Sequence, residues 1–158
     1  MKSQAEYYQS LPKKRMGAGC LFFDQQGRVM LVKPNYKPGW EIAGGTIELD
    51  ESPLECCQRE VLEEIGIVRE IGPLLVVDYS HTAGEKSESL MFVFDGGVLS
   101  AGEIDSIVLQ ADELDAFAFF TPKTLPAEMT ETLRKRVLAA WQQRENGVTR
   151  YLENQIIP

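Results

Sequence analysis

The sequence predicts a single α/β domain in which a mixed β-sheet packs between helices. Two segments have helical periodicity, and short apolar segments typical of strands precede, separate and follow them. Two helices are too few for a doubly wound parallel sheet, whereas a mixed sheet covered by helices fits the count. The chain has 158 residues and shows no repeat, low-complexity tract or linker, so residues 1–158 are expected to form one domain.

The first regular element is predicted to be a β-hairpin. Residues 1–15 are mostly polar, and we expect either a flexible arm or an arm that packs on a second subunit. Residues 18–23 are apolar and aromatic, residues 24–27 have turn composition, and residues 29–32 are apolar again. A loop over 34–39 follows the hairpin.

The first helix has a start and a stop that can be predicted from single residues. Ser52 is a good N-cap, Pro53 suits the first helical position, and Glu55 completes a capping box. Gly66 ends the helix because glycine readily adopts the left-handed conformation. The side expected to be buried consists of Leu54, Val61 and Ile65, with Cys57 and Gln58 at its margins.

Two more strands and a second helix are predicted after residue 70. Residues 73–79 and 90–94 have strand composition, and the glycine pair at 96–97 is expected to interrupt the second strand as a bulge or turn. Residues 80–89 form the polar loop between these strands. Residues 107–109 and 116–120 are further strand candidates.

The second helix is predicted over residues 126–143, where apolar residues recur at helical spacing. The Asn-Gly pair at 146–147 closes this helix. Residues 151–158 are expected to form a tail that packs loosely or extends to a partner.

Composition excludes several functional classes. The formal net charge of −8 argues against a broad electrostatic interaction with a nucleic acid backbone. No apolar stretch is long enough for a membrane span, and residues 1–14 lack an apolar signal core, so we expect a cytoplasmic protein. Cys20, Cys56 and Cys57 do not have the spacing of a disulfide framework or a zinc site.

The first helix also has an acidic face. Glu60, Glu63 and Glu64 lie at helical positions i, i+3 and i+4. Like charges about 6 Å apart repel by roughly 3 kcal/mol at an effective dielectric constant of about 20. No lysine between Lys37 and Lys86 relieves this repulsion. The face is either solvated or bound to a hard cation such as Mg²⁺, which takes carboxylate oxygens as ligands.

These acids belong to a longer pattern over residues 45–67. Its fixed positions are Gly45, Glu51, Arg59, Glu60, Val61, Glu63, Glu64, Gly66 and Ile67. The pattern resembles the signature of the Nudix hydrolases at every fixed position. Residues 40–44 are also similar to the segment that precedes this signature, except that Ala43 stands where proline is common.

The resemblance implies a Nudix-like α/β/α sandwich and a pyrophosphohydrolase that depends on Mg²⁺ or Mn²⁺. The implied reaction is hydrolysis of the pyrophosphate bond in a nucleoside diphosphate linked to another moiety. The implied metal ligands are Glu60, Glu63, Glu64 and the carbonyl of Gly44. Arg59 and Glu51 are expected to pair and to hold the loop before the helix.

The base that takes the proton from water is one of the box acids or an acid outside the box. The candidates outside the box are Asp112, Glu113 and Asp115, of which we favour Glu113. A solvated acidic loop is the alternative at this position.

The residues that choose the substrate lie outside the box. Tyr36, Trp40 and Phe22 are candidates for stacking on a base, and the single histidine, His81, for contacting the substrate. Cues typical of hydrolases of ADP-ribose, diadenosine polyphosphates or coenzyme A are missing. Because such cues are weak, their absence favours no class, and we rank an ordinary or modified (d)NTP slightly ahead of a nucleotide sugar or ADP-ribose.

Two other functional classes stay open. One is a non-catalytic Nudix domain that senses or binds a nucleotide, although the intact acids argue against it. The other is a structural domain with an accidental acidic helix. The expected partner is a small nucleotide derivative and not a nucleic acid polymer or a membrane, and a homodimer is common in the resembled family.

Overall fold

A seven-stranded sheet organises the chain in the computed structural model, which describes residues 3–158. Its strands are β1 (Arg15–Phe23), β2 (Val29–Pro34), β3 (Ala43–Thr46), β4 (Leu74–Ser80), β5 (Ser89–Val98), β6 (Leu114–Phe120) and β7 (Arg150–Glu153). The helices are α1 (Gln4–Gln9), α2 (Pro53–Ile65), α3 (Ala101–Asp105) and α4 (Glu131–Asn146).

The sheet is mixed, as predicted. The strand order is β6-β2-β1-β5-β4-β7, and β3 pairs with β1 outside this path. β1 runs antiparallel to β2 and β3 but parallel to β5, while β4 is antiparallel to β5 and parallel to β7. The central strand β1 therefore connects the hairpin, the strand before α2 and the second half of the chain.

Alternate residues of β1 face two separate cores. Cys20 and Phe22 pack in one cluster with residues of α2, and Leu21 and Phe23 pack in the other with residues of α4. Because successive strand residues point to opposite faces, α2 and α4 cover opposite sides of the sheet. The predicted α/β fold with a sheet between helices is confirmed.

Helix α2 begins and ends as predicted. Ser52 caps it with a reciprocal capping box to Glu55, and Gly66 ends it with φ of 70°. The predicted buried side is partly wrong, because Leu54 and Gln58 are exposed whereas Cys56 is buried. The buried side is turned toward β3, and it includes the carboxylate of Glu64.

The glycine pair at 96–97 forms the predicted bulge. The pairing of β1 with β5 shifts register between Leu21 and Phe22, which pair with Asp95 and Gly97. β5 nevertheless continues to Val98, so the bulge does not end the strand.

Two predictions between residues 100 and 131 are wrong. Residues 107–109 are not a strand, because the amides of Val108 and Gln110 bond to the carbonyls of Ile65 and Glu64 at the end of α2. These bonds satisfy carbonyls that a helix end leaves without partners. Helix α4 begins at residue 131, not 126, because Thr130 caps it. The short helix α3 was not predicted.

The C-terminal segment is not a loose tail. β7 pairs in parallel with β4, and Leu152 is buried in the core. At the other end of the chain, α1 buries none of its residues. Residues 1 and 2 of the predicted arm lie outside the described residues, and its role on a second subunit stays a prediction. None of the helices within residues 3–158 has the length and apolar character that a membrane span requires.

Candidate active site

An acidic cleft of about 560 Å³ lies where β3 meets α2. Its walls come from the end of β3, one face of α2 and the turn before β6. The acids that line it are Glu48, Glu60, Glu63, Glu64 and Glu113. The fold therefore brings the three acids of the α2 face together with the acid predicted outside the box.

Glu64 is the most buried acid of the cleft. The residue is 7% exposed, and the Oε2 atom of its carboxylate accepts a hydrogen bond of 2.8 Å from the backbone amide of Gly44. Burial, together with the charges of Glu60 and Glu113, raises the pKa of Glu64 to about 8 against the opposing effect of the Gly44 bond. The metal-free site therefore disfavours the ionised form of this carboxyl.

Glu60 lies directly against the backbone of Gly45. A Cβ at position 45 would collide with the Glu60 carboxylate, so glycine is required for this close approach. Burial raises the pKa of Glu60, while an ion pair of 2.8 Å with Arg59 opposes the increase.

Glu63 is the exposed member of the face, with half of its side chain accessible to solvent. It contacts Arg59 at 3.1 Å. Within residues 3–158 no three Asp, Glu, His or Cys side chains already converge on one coordination point. The guanidinium of Arg59, which bonds to both Glu60 and Glu63, balances part of their charge.

Arg59 also fixes the loop between β3 and α2. It makes two bonds to the Glu51 carboxylate, from Nε at 2.7 Å and from Nη2 at 3.0 Å, and a third to the carbonyl of Thr46 at 3.2 Å. Glu51 in turn accepts a bond from the amide of Glu48. The bonds to Arg59 lower the pKa of Glu51 to about 2. The pair that the sequence predicts is present in the structure.

Gly44 contacts the site through its amide. Its φ is 147°, and a Cβ here would collide with the backbone of β1 at Ala18. The family resemblance implies its carbonyl as a metal ligand, but the bond that its N–H donates to Glu64 was not predicted. The carbonyl as a ligand stays a prediction.

Of the residues predicted to contact the substrate, only one lines the cleft. Tyr36 lines the cleft, whereas Trp40 packs edge-to-face on Phe120 with ring centroids 5.2 Å apart. Phe22 is fully buried and cannot stack on a ligand. His81 lines a different cavity and contacts Asn154 at 2.9 Å through Nδ1.

Only one of the three candidate acids near the start of β6 lines the cleft. All three are exposed, but Glu113 lines the cleft, whereas Asp112 and Asp115 lie outside its lining. The geometry therefore agrees with the preference for Glu113 over its neighbours, although its role as a base stays a prediction.

A family model described as NUDIX domain matches residues 13–142, which is most of the chain. The chain belongs to the Nudix family. The predicted membership of this family and the predicted class of enzyme, a Nudix-type pyrophosphohydrolase, are confirmed.

Relatives of this Nudix protein include a MutT-like protein of Streptomyces ambofaciens, 28% identical over 138 residues that cover 87% of this chain and 84% of that protein. Diphosphoinositol polyphosphate phosphohydrolase 2 of Rattus norvegicus is 38% identical over 64 residues, which cover 40% of this chain and only 36% of that protein.

Solved structures support the Nudix fold. A UDP-X diphosphatase has a TM-score of 0.75 at 20% identity, covering 96% of this chain and 76% of that one. The MutT protein of Methanosarcina mazei Go1 has a TM-score of 0.64 at 23% identity, covering 87% of this chain and 99% of that one. At these identities the likeness establishes the fold.

Several residues that line the Nudix cleft were not predicted from the sequence, among them the acid Glu48 and Gln110. The amide of Gln110 bonds to the carbonyl of Glu64 at 3.0 Å. No local pattern marks Gln110, because only the packing of its segment on the end of α2 brings it to the site.

Proposed function

We propose that this Nudix enzyme hydrolyses a pyrophosphate bond in a nucleoside diphosphate linked to another moiety, with a divalent cation held by Glu60, Glu63 and Glu64. The observation that supports this most directly is the buried carboxyl of Glu64 beside Glu60 in a cleft that contains five acids. Burying acids together is costly unless a positive charge compensates them.

The side chains of the cleft fit Mg²⁺ or Mn²⁺. All of the acids that line it offer oxygen ligands, which hard cations prefer over nitrogen or sulfur. A cation would also favour the ionised form of Glu64, whose pKa is raised to about 8 in its absence. The carbonyl of Gly44 is a further proposed ligand. When bound, the cation neutralises the diphosphate and activates a water molecule for attack on phosphorus.

The residues of the chain then have separate roles. Glu60 and Glu64 hold their carboxylates against β3, through contact with Gly45 and the bond from Gly44. Glu113, at the opposite wall, accepts the proton of the attacking water. Arg59 keeps the loop from Thr46 to Glu51 in place, and Tyr36 offers an aromatic surface at the cleft.

The identity of the nucleotide substrate is a more specific part of this proposal. An ordinary or modified (d)NTP ranks slightly ahead of a nucleotide sugar or ADP-ribose. Solved structures of similar fold include a MutT protein, a UDP-X diphosphatase and an ADP-ribose pyrophosphatase from Streptococcus suis, so all three classes belong in a test. We also propose that residues 1–158 form one Nudix domain, since β7 completes the sheet.

The test is phosphorus NMR of the products formed from dNTPs, oxidised dGTP, ADP-ribose, nucleotide sugars and dinucleoside polyphosphates with Mg²⁺. Cleavage of one class by the wild type but not by Glu64→Gln supports the proposal, and the products identify the phosphorus that was attacked. Binding of a nucleotide without cleavage would instead favour a nucleotide-sensing domain.

A further inference from the structure

The acidic cleft is one end of a longer groove. A second cavity of about 280 Å³ adjoins it, and a third of about 430 Å³ adjoins the second. The cleft and the second cavity share the lining residues Tyr36, Gly44, Gly45 and Thr46. The second and third cavities share Glu41, Met91, Leu133 and Arg136.

The two ends of the groove lie a short distance apart along β1, one on the α2 side of the sheet and the other on the α4 side. Gly45, which lies against Glu60, pairs with Ala18 on β1. Arg15, which lines the third cavity, lies three residues away on the same strand. Three residues of a strand span about 10 Å, and Arg15 and Ala18 face opposite sides of the sheet, so a substrate that contacts both ends passes over the shared segment at β3.

The charge of the groove reverses between its ends. The third cavity is lined by the cations Arg15, Lys86 and Arg136, and we call it the basic pocket. Its lining carboxylate, Glu41, is already paired with Lys37 at 3.0 Å. This concentration of positive charge contrasts with the formal net charge of −8.

Two of these cations have no acidic partner within the part of the chain that the structure describes. Arg15 donates to the hydroxyl of Ser87 at 3.1 Å and to its carbonyl at 2.8 Å, both neutral acceptors. Lys86 lies in an exposed turn and forms no ion pair among residues 3–158. Both are therefore available to a negatively charged ligand.

The third cation is held in a fixed position. Arg136 donates to the fully buried carboxylate of Asp78 at 2.8 Å, which also accepts bonds from the backbone amide and the side chain of Gln155. Asn154 and Gln155 have φ of 50° and 63°, a conformation that non-glycine residues adopt rarely. The C-terminal turn thus forms a defined wall of the basic pocket, because both residues line it.

We propose that the basic pocket binds an anionic group, a carboxylate or a phosphate, on the moiety attached to the nucleoside diphosphate. This inference rests on the proposed function, since it assigns the diphosphate to the acidic cleft. Arg15 and Lys86 make charge-assisted hydrogen bonds to the anionic group, and Arg136 shapes the floor of the pocket. Substrates with a neutral group at this position lack these bonds.

The test compares compounds that differ by one charged group. UDP-glucuronate and UDP-glucose differ by a carboxylate on the sugar, and ADP-ribose 1″-phosphate and ADP-ribose differ by a phosphate on the distal ribose. Dissociation constants by calorimetry and kcat/KM are both measured with Mg²⁺. We expect the anionic member of at least one pair to be preferred about tenfold or more, since hydrogen bonds to a charged group are stronger than those between neutral groups. The preferred pair distinguishes a carboxylate from a phosphate.

The variant Arg15→Gln/Lys86→Gln should reduce this preference at least tenfold. Lys123→Gln/Lys135→Gln is the matched control, because it removes the same charge from exposed positions outside the pocket. Lys86→Gln alone gives the same test if the double variant does not fold.

Any of three results would overturn the proposal. These are equal affinity for both members of each pair, no measurable binding of either anionic compound, or a loss of preference in the control variant equal to that in Arg15→Gln/Lys86→Gln. Absence of hydrolysis in every compound tested would count against the proposed function, and the dissociation constants would then decide this inference separately.

Discussion

The backbone amide of Gly44 donates a hydrogen bond of 2.8 Å to the buried carboxylate of Glu64. This bond joins β3 to the last turn of α2, twenty residues later in the chain. It holds the carboxylate at the cleft before any cation binds. It does not offset the cost of burial, however, and the pKa of Glu64 stays raised to about 8.

The raised pKa predicts how stability depends on pH without a cation. The folded protein binds a proton at Glu64 more tightly than the unfolded chain, whose carboxyl has its ordinary value of 4.5. The protonated carboxyl therefore stabilises the fold at low pH, and this contribution is lost as pH rises from 4.5 to about 8. Glu64→Gln removes the titration, so in EDTA it should become more stable than the wild type by a growing margin over this range.

Urea unfolding in EDTA from about pH 5 to about pH 9 measures this difference. Glu63→Gln is the control, because its side chain is half exposed on the same helix. If the stability difference between wild type and Glu64→Gln were constant with pH, Glu64 would not titrate in this range.

The acids of α2 should differ in their importance for catalysis. Glu60→Gln and Glu64→Gln should each lower kcat by several orders of magnitude, because both side chains are fixed against β3 and neither amide can replace an anionic ligand. Glu63→Gln should cost less, since Glu63 is exposed. Steady-state kinetics with the substrate found by NMR measure the loss of rate in each variant. Mg²⁺ titrations measure the corresponding loss of metal affinity. Near wild-type turnover in Glu60→Gln or Glu64→Gln would contradict the site assignment.

Sequence signals from nearby residues were sufficient to predict α2 and part of its site. Ser52, Glu55 and Gly66 act on backbone groups within a few residues, and Arg59 reaches Glu51 over eight residues. The ends of α2 depend on the local chain and can be predicted from spacing, whereas the pair of Arg59 and Glu51 was expected from the family resemblance.

Features that depend on distant packing were not predictable in the same way. The amide of Gln110 bonds to the end of α2, which converts an apparent strand at 107–109 into a connecting segment. Likewise, residues 151–158 look like a tail because their one buried apolar residue, Leu152, pairs with a strand about seventy residues earlier. The basic pocket also combines five distant segments, so its charge pattern cannot be seen in the sequence.

Gly45→Ala tests the close approach of Glu60 to β3. The added methyl group would collide with the Glu60 carboxylate, which must then move away from the cleft. Because the displaced group is a side chain, we expect the fold to survive while Mg²⁺ affinity and kcat both fall by about tenfold or more. Calorimetric titration and steady-state kinetics measure these changes.

Gly102→Ala is the matched control for this substitution, because a Cβ at this position of α3 meets no atom within 4 Å. If Gly45→Ala kept both wild-type metal affinity and wild-type rate, Glu60 would not be held in a functional position by Gly45.

The pair of Arg59 and Glu51 should behave as a single unit. Arg59→Lys keeps the positive charge but cannot make the two parallel bonds to Glu51, and Glu51→Gln removes the negative partner. Each should lower Mg²⁺ affinity by about tenfold or more because the loop before α2 loses its anchor. The double variant should be little worse than either single variant, and a double-mutant cycle on affinity and kcat measures this coupling. Fully additive losses would show that the two side chains act separately.

Asp78 provides the last prediction, because it joins β4, α4 and the C-terminal turn. Its carboxylate is fully buried and accepts bonds from Arg136 and Gln155. Asp78→Asn preserves the volume but leaves the guanidinium of Arg136, itself 12% exposed, without a counter-charge. Breaking a buried pair in this way should destabilise the fold by about 3 kcal/mol. Urea unfolding measures the loss, with exposed Asp112→Asn as the control.

The same substitution should weaken binding of the anionic compounds more than that of their neutral counterparts, because Asp78 positions Arg136 and Gln155 at the basic pocket. Stability within about 1 kcal/mol of the wild type would mean that solvent or local rearrangement compensates Arg136. The packing of Leu152, and not the charged network, would then be the main interaction that holds β7 in the sheet.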